Sequence, residues 1–155
     1  MSRPLLQPRA LPPDAPNTGT LLLVAYRAFE KELFAAFRDA GHVALRPKHG
    51  AVLANLAPEG TRLTDLAAAA GITKPSMKEL VDELVELGYV ARRSDPKDGR
   101  ARTIVLTPEG VALARLARRT IERIEKGYAA QLGARAYGAL RAALTKLAES
   151  IVLES

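Results

Sequence analysis

The sequence predicts a mainly α protein that carries one small β-hairpin. Three observations predict it. Apolar residues recur at spacings of 3 and 4 through most of the chain, the period of a helix with a buried face. After Gly88 the period drops to 2 across Tyr89–Ser94 and again across Arg102–Leu106. Between these runs stands Asp95-Pro96-Lys97-Asp98-Gly99-Arg100-Ala101, a polar turn with Asp-Gly inside it, which is how a hairpin is joined.

The chain has 155 residues and is 48% hydrophobic, enough for one domain with a real core. Lys and Arg number 23 against 17 Asp and Glu, a net charge of +6. A basic balance suits a polyanionic partner without naming it. The absence of cysteine excludes disulfides, thiol redox sensing, Cys-ligated zinc and a Cys nucleophile. With two histidines, a metal site would have to lean on carboxylates, and none is expected. Apolar runs such as Leu21–Tyr26 and Leu66–Ala70 fall far short of the roughly 20 residues that span a bilayer. Residues 1–16 include Arg3 and Arg9 but no apolar stretch, so they do not read as a secretory signal. A cytoplasmic protein with no membrane partner is expected.

Residues 1–16 hold five of the ten prolines. They form no helix and read as a loose tail or as an arm laid on a partner subunit. Asn17 or Thr18 caps a helix to about Asp39, with Leu22, Tyr26, Phe29, Leu33 and Phe37 on one stripe. Leu23 and Phe34 widen that stripe, so burial on more than one side is expected. A second helix is expected over Pro47–Leu56, with Val52, Leu53 and Leu56 inward. Residues 63–87 read as two helices, the first capped by Thr64 and broken at Gly71, the second capped by Thr73 and ended at Gly88. After the hairpin, Thr107 caps a long helix to about Leu132, and Gly133 breaks it. The last helix carries Tyr137, Leu140, Leu144, Leu147 and Ile151, an uninterrupted 3-4 seam.

The spacing within residues 64–83 is that of a helix-turn-helix. Ala67 supplies the small side chain where two helices cross, Gly71 the turn, and Met77 the residue that packs the second helix on the first. The stretch LTDLAAAAGITKPSMKELVDELVELGYVARRSDPKDGRARTIVLTPEG, residues 63–110, resembles the winged helix-turn-helix of the MarR/SlyA family of bacterial transcription regulators. Asp98, Arg100, Leu106, Thr107 and Gly110 carry the most specific part of the match, and LRPKHGAVLANL, residues 45–56, is similar to the family's second helix. The resemblance implies a homodimer that binds double-stranded DNA at a pseudo-palindromic operator, with repression by occupancy as the default. It divides the chain into a proline-rich arm (1–16), a helical dimerisation region (17–44 and 108–155) and a winged DNA-binding region (45–107).

With Met77, Leu80, Val81 and Leu84 inward, Thr73, Lys74, Ser76 and Lys78 face out near the start of their helix. That turn is the part of a recognition helix that reaches base edges. Lysine reads phosphate or guanine O6 and N7. Glu79 and Glu83 depart from the resemblance, which has bases there; Glu79 could accept from cytosine N4, but pairing with a nearby lysine is favoured. In the wing, Arg93, Lys97, Arg100 and Arg102 are the candidate contacts, with Arg100 suited to a narrow minor groove and Asp98 an internal brace. The resemblance also implies a small aromatic or anionic effector lodged beside the dimerisation helices, with Tyr26, Arg46, Lys48 and His49 as candidates. His49 reads more readily as a packed histidine, and His42 as loop. Gly50 stands where relatives have Phe, leaving room for a ligand or for a neighbouring helix. Nucleophile-elbow, P-loop, zinc-protease and dinucleotide signatures are missing from the sequence, so no enzyme is expected. The competing class is a winged interaction module, or an architectural protein that coats DNA without preference; discrimination of an operator by about 10³ separates them. If Arg100 enters the groove, Arg100→Ala makes the salt dependence of DNA binding shallower by about one ion. Unchanged affinity at matched salt removes it from the contact set.

Overall fold

Short-range chemistry starts each long helix. Asn17 Oδ1 accepts from Thr20 N at 2.9 Å and opens α1, Thr18–Asp39. The computed structural model describes residues 16–94 and 102–153. The proline-rich segment before Pro16 and the hairpin tip, with Lys97, Asp98 and Arg100, lie outside the described residues.

After α1 comes one 3₁₀ turn, Pro47–His49, and then α2, Gly50–Leu53. The expected helix to Leu56 is thus cut short. Asn55 donates its side-chain amide to Ala51 O at 2.9 Å, while its N–H turns to Val52 O. A side chain competing for helix carbonyls ends the run, and Pro58 follows. A two-residue strand β1, Thr61–Arg62, went unforeseen. It leads straight into α3, Leu63–Ala70, so Arg62 holds the N-cap position and Thr64 lies within the first turn. Pairing of β1 with the sheet sets that start, which the Thr64 cap did not anticipate.

Gly71 takes φ 64, the left-handed conformation that an L side chain resists. Thr73 then caps α4, Lys74–Glu86. Strands β2, Val90–Ser94, and β3, Arg102–Leu106, form the hairpin. The sheet is antiparallel in the order β1-β3-β2, with Arg92 opposite Ile104 and Ser94 opposite Arg102. Two long helices close the chain, α5, Pro108–Leu132, and α6, Ala134–Leu153.

The core joins Phe34 and Phe37 of α1 to Val52, Leu66, Met77, Val81, Leu84, Ile104 and Leu113. Leu80, expected inside, is only half-buried. Within one chain α1 buries only its C-terminal half; Leu21, Leu22, Leu23, Val24 and Tyr26 are exposed. So are Leu140, Leu144, Leu147 and Ile151 of α6. Among the described residues no helix is long and apolar enough to cross a membrane.

One close approach joins α5 to the winged part. Thr107 N donates to Tyr89 O at 3.1 Å, and Thr107 Oγ1 donates to Gly88 O at 2.6 Å. The same hydroxyl accepts from Gly110 N at 3.0 Å and caps α5. A Cβ on Gly110 would stand 2.0 Å from Tyr89 O, a backbone atom that cannot rotate away. Gly110→Ala is expected to destabilise by about 3 kcal/mol, the upper end of ordinary overpacking. The midpoint of urea unfolding reads this directly, and an unmoved midpoint contradicts it.

Candidate nucleic-acid interface

The first turn of α4 is built to show polar groups. Thr73 Oγ1 accepts from Ser76 N at 3.3 Å and donates to Ser76 Oγ at 2.9 Å. Met77, Val81 and Leu84 are fully buried, so α4 is seated on one face. Thr73, Lys74, Ser76, Lys78 and Glu79 are exposed on the other. The sequence-derived residues of this helix therefore lie together at its N-terminal end, where unpaired N–H groups and the helix dipole favour an anion.

The wing contributes less uniformly. Arg93 and Arg102 are exposed, but the register places them on opposite faces. Arg93 faces Thr103 and Arg102 faces Ser94, and side chains alternate along a strand. Lys97 and Arg100 lie outside the described residues.

Two carboxylates that carried no role in the sequence reading organise the charges. Asp82 receives Lys78 Nζ on Oδ2 at 2.7 Å and the Arg92 guanidinium on Oδ1. These two hydrogen bonds, that of Lys78 first, hold its carboxyl below the usual range. Glu83 receives Lys48 Nζ at 2.6 Å on one oxygen and His49 Nε2 at 2.9 Å on the other. His49 Nδ1 accepts from Arg46 N at 3.1 Å, so the ring proton sits on Nε2 and points at Glu83. The favoured lysine pairing of Glu79 is not found; Glu79 has no ion pair among the described residues, and Lys78 turns to Asp82 instead. The helical spacing of Lys78 and Asp82 is a signal the sequence held.

The effector candidates do not converge. Tyr26 donates to Glu30 at 3.1 Å and lines a cleft between α1, α5 and α6. Arg46, Lys48 and His49 border a different, shallow depression. Arg46 is spent on the backbone, donating to Val43 O and Leu45 O at 2.6 and 3.1 Å. His49 is 1% exposed, the packed histidine that the sequence favoured. His42, read as loop, shares a 2.7 Å hydrogen bond with the buried Tyr89 hydroxyl. A separate apolar cavity of about 360 Å³ lies between α1, α2 and α5. Phe34, Phe37, Leu53 and Leu113 line it, Gly50 opens one wall, and Arg118 and Glu122 stand at its charged rim.

Glu83 gives a pH test. The Lys48 hydrogen bond first, then that of His49, lowers its pKa. A depressed carboxylate contributes stability that is present above its unfolded-state pKa, about 4.3 for Glu, and lost as pH falls through the folded value. The stability gap between wild type and Glu83→Gln is therefore full at neutral pH and narrows below that region. Urea midpoints across a pH series measure it, and a gap that widens on acidification contradicts the assignment.

Residues 45–101 match the profile of the MarR family. No curated protein matches the sequence. CouR from Rhodococcus jostii RHA1, solved with p-coumaroyl-CoA, is similar at 28% identity and TM-score 0.68, over 85% of this chain and 92% of that one. The transcriptional repressor CouR bound to a 23-mer DNA duplex is similar at 26% identity and TM-score 0.69, over the same 85% and 92%. BpsR of Bordetella bronchiseptica, whose DNA binding is regulated by 6-hydroxynicotinic acid, is similar at 25% identity and TM-score 0.65, over 85% and 93%. The match over residues 45–101 covers the region of α3, α4 and the first strands of the wing, and the chain is similar in overall fold to these MarR-family regulators.

Proposed function

We propose that the chain represses transcription by binding double-stranded DNA, as a homodimer, at a pseudo-palindromic operator. The observation that carries this is the exposed, capped first turn of α4 standing on a fully buried Met77-Val81-Leu84 stripe. Such a turn presents Thr73, Lys74, Ser76 and Lys78 to base edges and phosphates without strain on the core. Arg93 and Arg102 flank it from the wing, and Lys97 and Arg100 belong to the same proposal on sequence grounds alone. No catalytic role is read for any of them. DNA-bound CouR, a similar protein, supports the reading.

The dimer rests on apolar surface left open by one chain. Leu21–Val24 of α1 and Leu140, Leu144, Leu147 and Ile151 of α6 are exposed. A two-fold copy covers such a patch with itself. In this reading residues 17–44 and 108–155 dimerise, residues 45–107 hold the DNA, and residues 1–16 are an arm. The cavity beside Gly50, between the two regions, takes a small aromatic or anionic effector. The relatives' ligands, p-coumaroyl-CoA and 6-hydroxynicotinic acid, are both aromatic and acidic. Tyr26, Arg46, Lys48 and His49 lie outside that cavity's lining.

Selection of bound duplexes from a random pool tests the whole reading. The expected product is a palindrome with half-sites about 34 Å apart, or a multiple of one helical turn, bound about 10³-fold or more over random sequence. A chain truncated after Arg135 is expected to be monomeric by light scattering and to lose operator affinity. Binding without sequence preference favours an architectural role instead. A full-length chain that is a folded monomer at micromolar concentration overturns the dimer.

A further inference from the structure

The basic side chains on the DNA-facing elements are not equally free. Lys74, Arg93 and Arg102 have no ion pair among the described residues. Lys78 and Arg92 both end on Asp82, one on each carboxylate oxygen. This triad joins α4 to β2, because Arg92 sits in the strand opposite Ile104. It carries two positive charges and one negative. All three side chains are partly open to solvent, at 63%, 38% and 33% for Lys78, Asp82 and Arg92. Pairs that open to water are weak and exchangeable.

We infer that Asp82 is a positioning residue that serves as an internal counter-ion, withholding Lys78 and Arg92 from indiscriminate phosphate contact. The inference rests on the DNA-binding reading and deepens it. A lone phosphate offers Lys78 little that Asp82 does not already provide at 2.7 Å. A guanine edge in register offers two acceptors, O6 and N7, beside the phosphate field. Lys78 then leaves Asp82 only where the base rewards it. Non-specific affinity is held down, and the ratio of operator to random binding rises. The free cations Lys74, Arg93 and Arg102 supply the sequence-independent attraction.

The salt dependence of binding reads the number of cations that engage phosphate, at about 0.9 in slope per contact. Full-length wild type and Asp82→Asn are titrated with sonicated mixed-sequence duplex DNA across a salt series, with urea midpoints as a folding check. Asp82→Asn is expected to steepen the slope by about one to two and to bind several-fold tighter at low salt, while its preference for a selected operator falls. Lys78→Ala is expected to remove about 0.9 more slope on mixed DNA in the Asp82→Asn background than in the wild type. Asp82→Glu, which keeps the charge, is expected to restore the wild-type slope. A purely structural Asp82 predicts weaker binding at an unchanged slope, and that result overturns the inference. So does an equal loss of slope by Lys78→Ala in the wild type and in the Asp82→Asn background, with Asp82→Ser as the neutral background if Asp82→Asn does not fold. A wild type with no salt-dependent affinity for DNA overturns the DNA-binding reading itself and this inference with it.

Discussion

Thr107 and Gly110 decide where α5 lies, and most of the architecture follows from that. The Thr107 hydroxyl donates to Gly88 O and accepts from Gly110 N, while its own N–H reaches Tyr89 O. A hydroxyl is needed because the position must both give and take a hydrogen bond. Glycine is needed at 110 because the Tyr89 carbonyl fills the space of a Cβ. The Tyr89 side chain meanwhile bonds His42 in the connector after α1. Burial keeps that phenol above its ordinary pKa and therefore protonated. Three segments are thus tied at one residue pair. Because α5 runs for 25 residues beyond it, roughly 37 Å at 1.5 Å per residue, a small rotation here becomes a large displacement at the far end.

The same logic of few, well-placed contacts holds α4. Its apolar stripe fixes depth through Met77, Val81 and Leu84. Two adjacent carboxylates fix rotation. Asp82 reaches the wing through Arg92, and Glu83 reaches the turn before α2 through Lys48 and His49. Individually such exposed pairs are worth little. Their value here is geometric, since they pull on the two flanks of one helix. The cavity beside Gly50 lies between α2, α1 and α5. Gly50 and Leu53 of α2 line it, and the turn immediately before α2 holds Glu83 of α4 through Lys48 and His49.

What the sequence determined by itself was local. Thr73 and Thr107 cap the helices they were expected to cap, and Asn17, one of two candidates with Thr18, caps α1, because a cap bonds to an N–H three residues away. Gly71, most of the buried stripe of α4 and the two strands of the hairpin were legible for the same reason: period and turn chemistry act over a few residues. What only the tertiary structure decided was long in range. The Thr61–Arg62 strand exists because β3 pairs with it, and that pairing moved the start of α3 away from Thr64. Lys48 and Glu83 are 35 residues apart, and His42 and Tyr89 are 47 apart. No periodicity marks such partners, since side-chain spacing reports which face is buried and not what covers it. Tyr26 and His49 were grouped by chemistry, but α1 carries Tyr26 to a cleft against α5 and α6 while the turn before α2 buries His49 on Glu83. Charge count predicted a basic surface. Only the fold showed which cations are already answered by Asp82 and Glu83 and which remain free among the described residues.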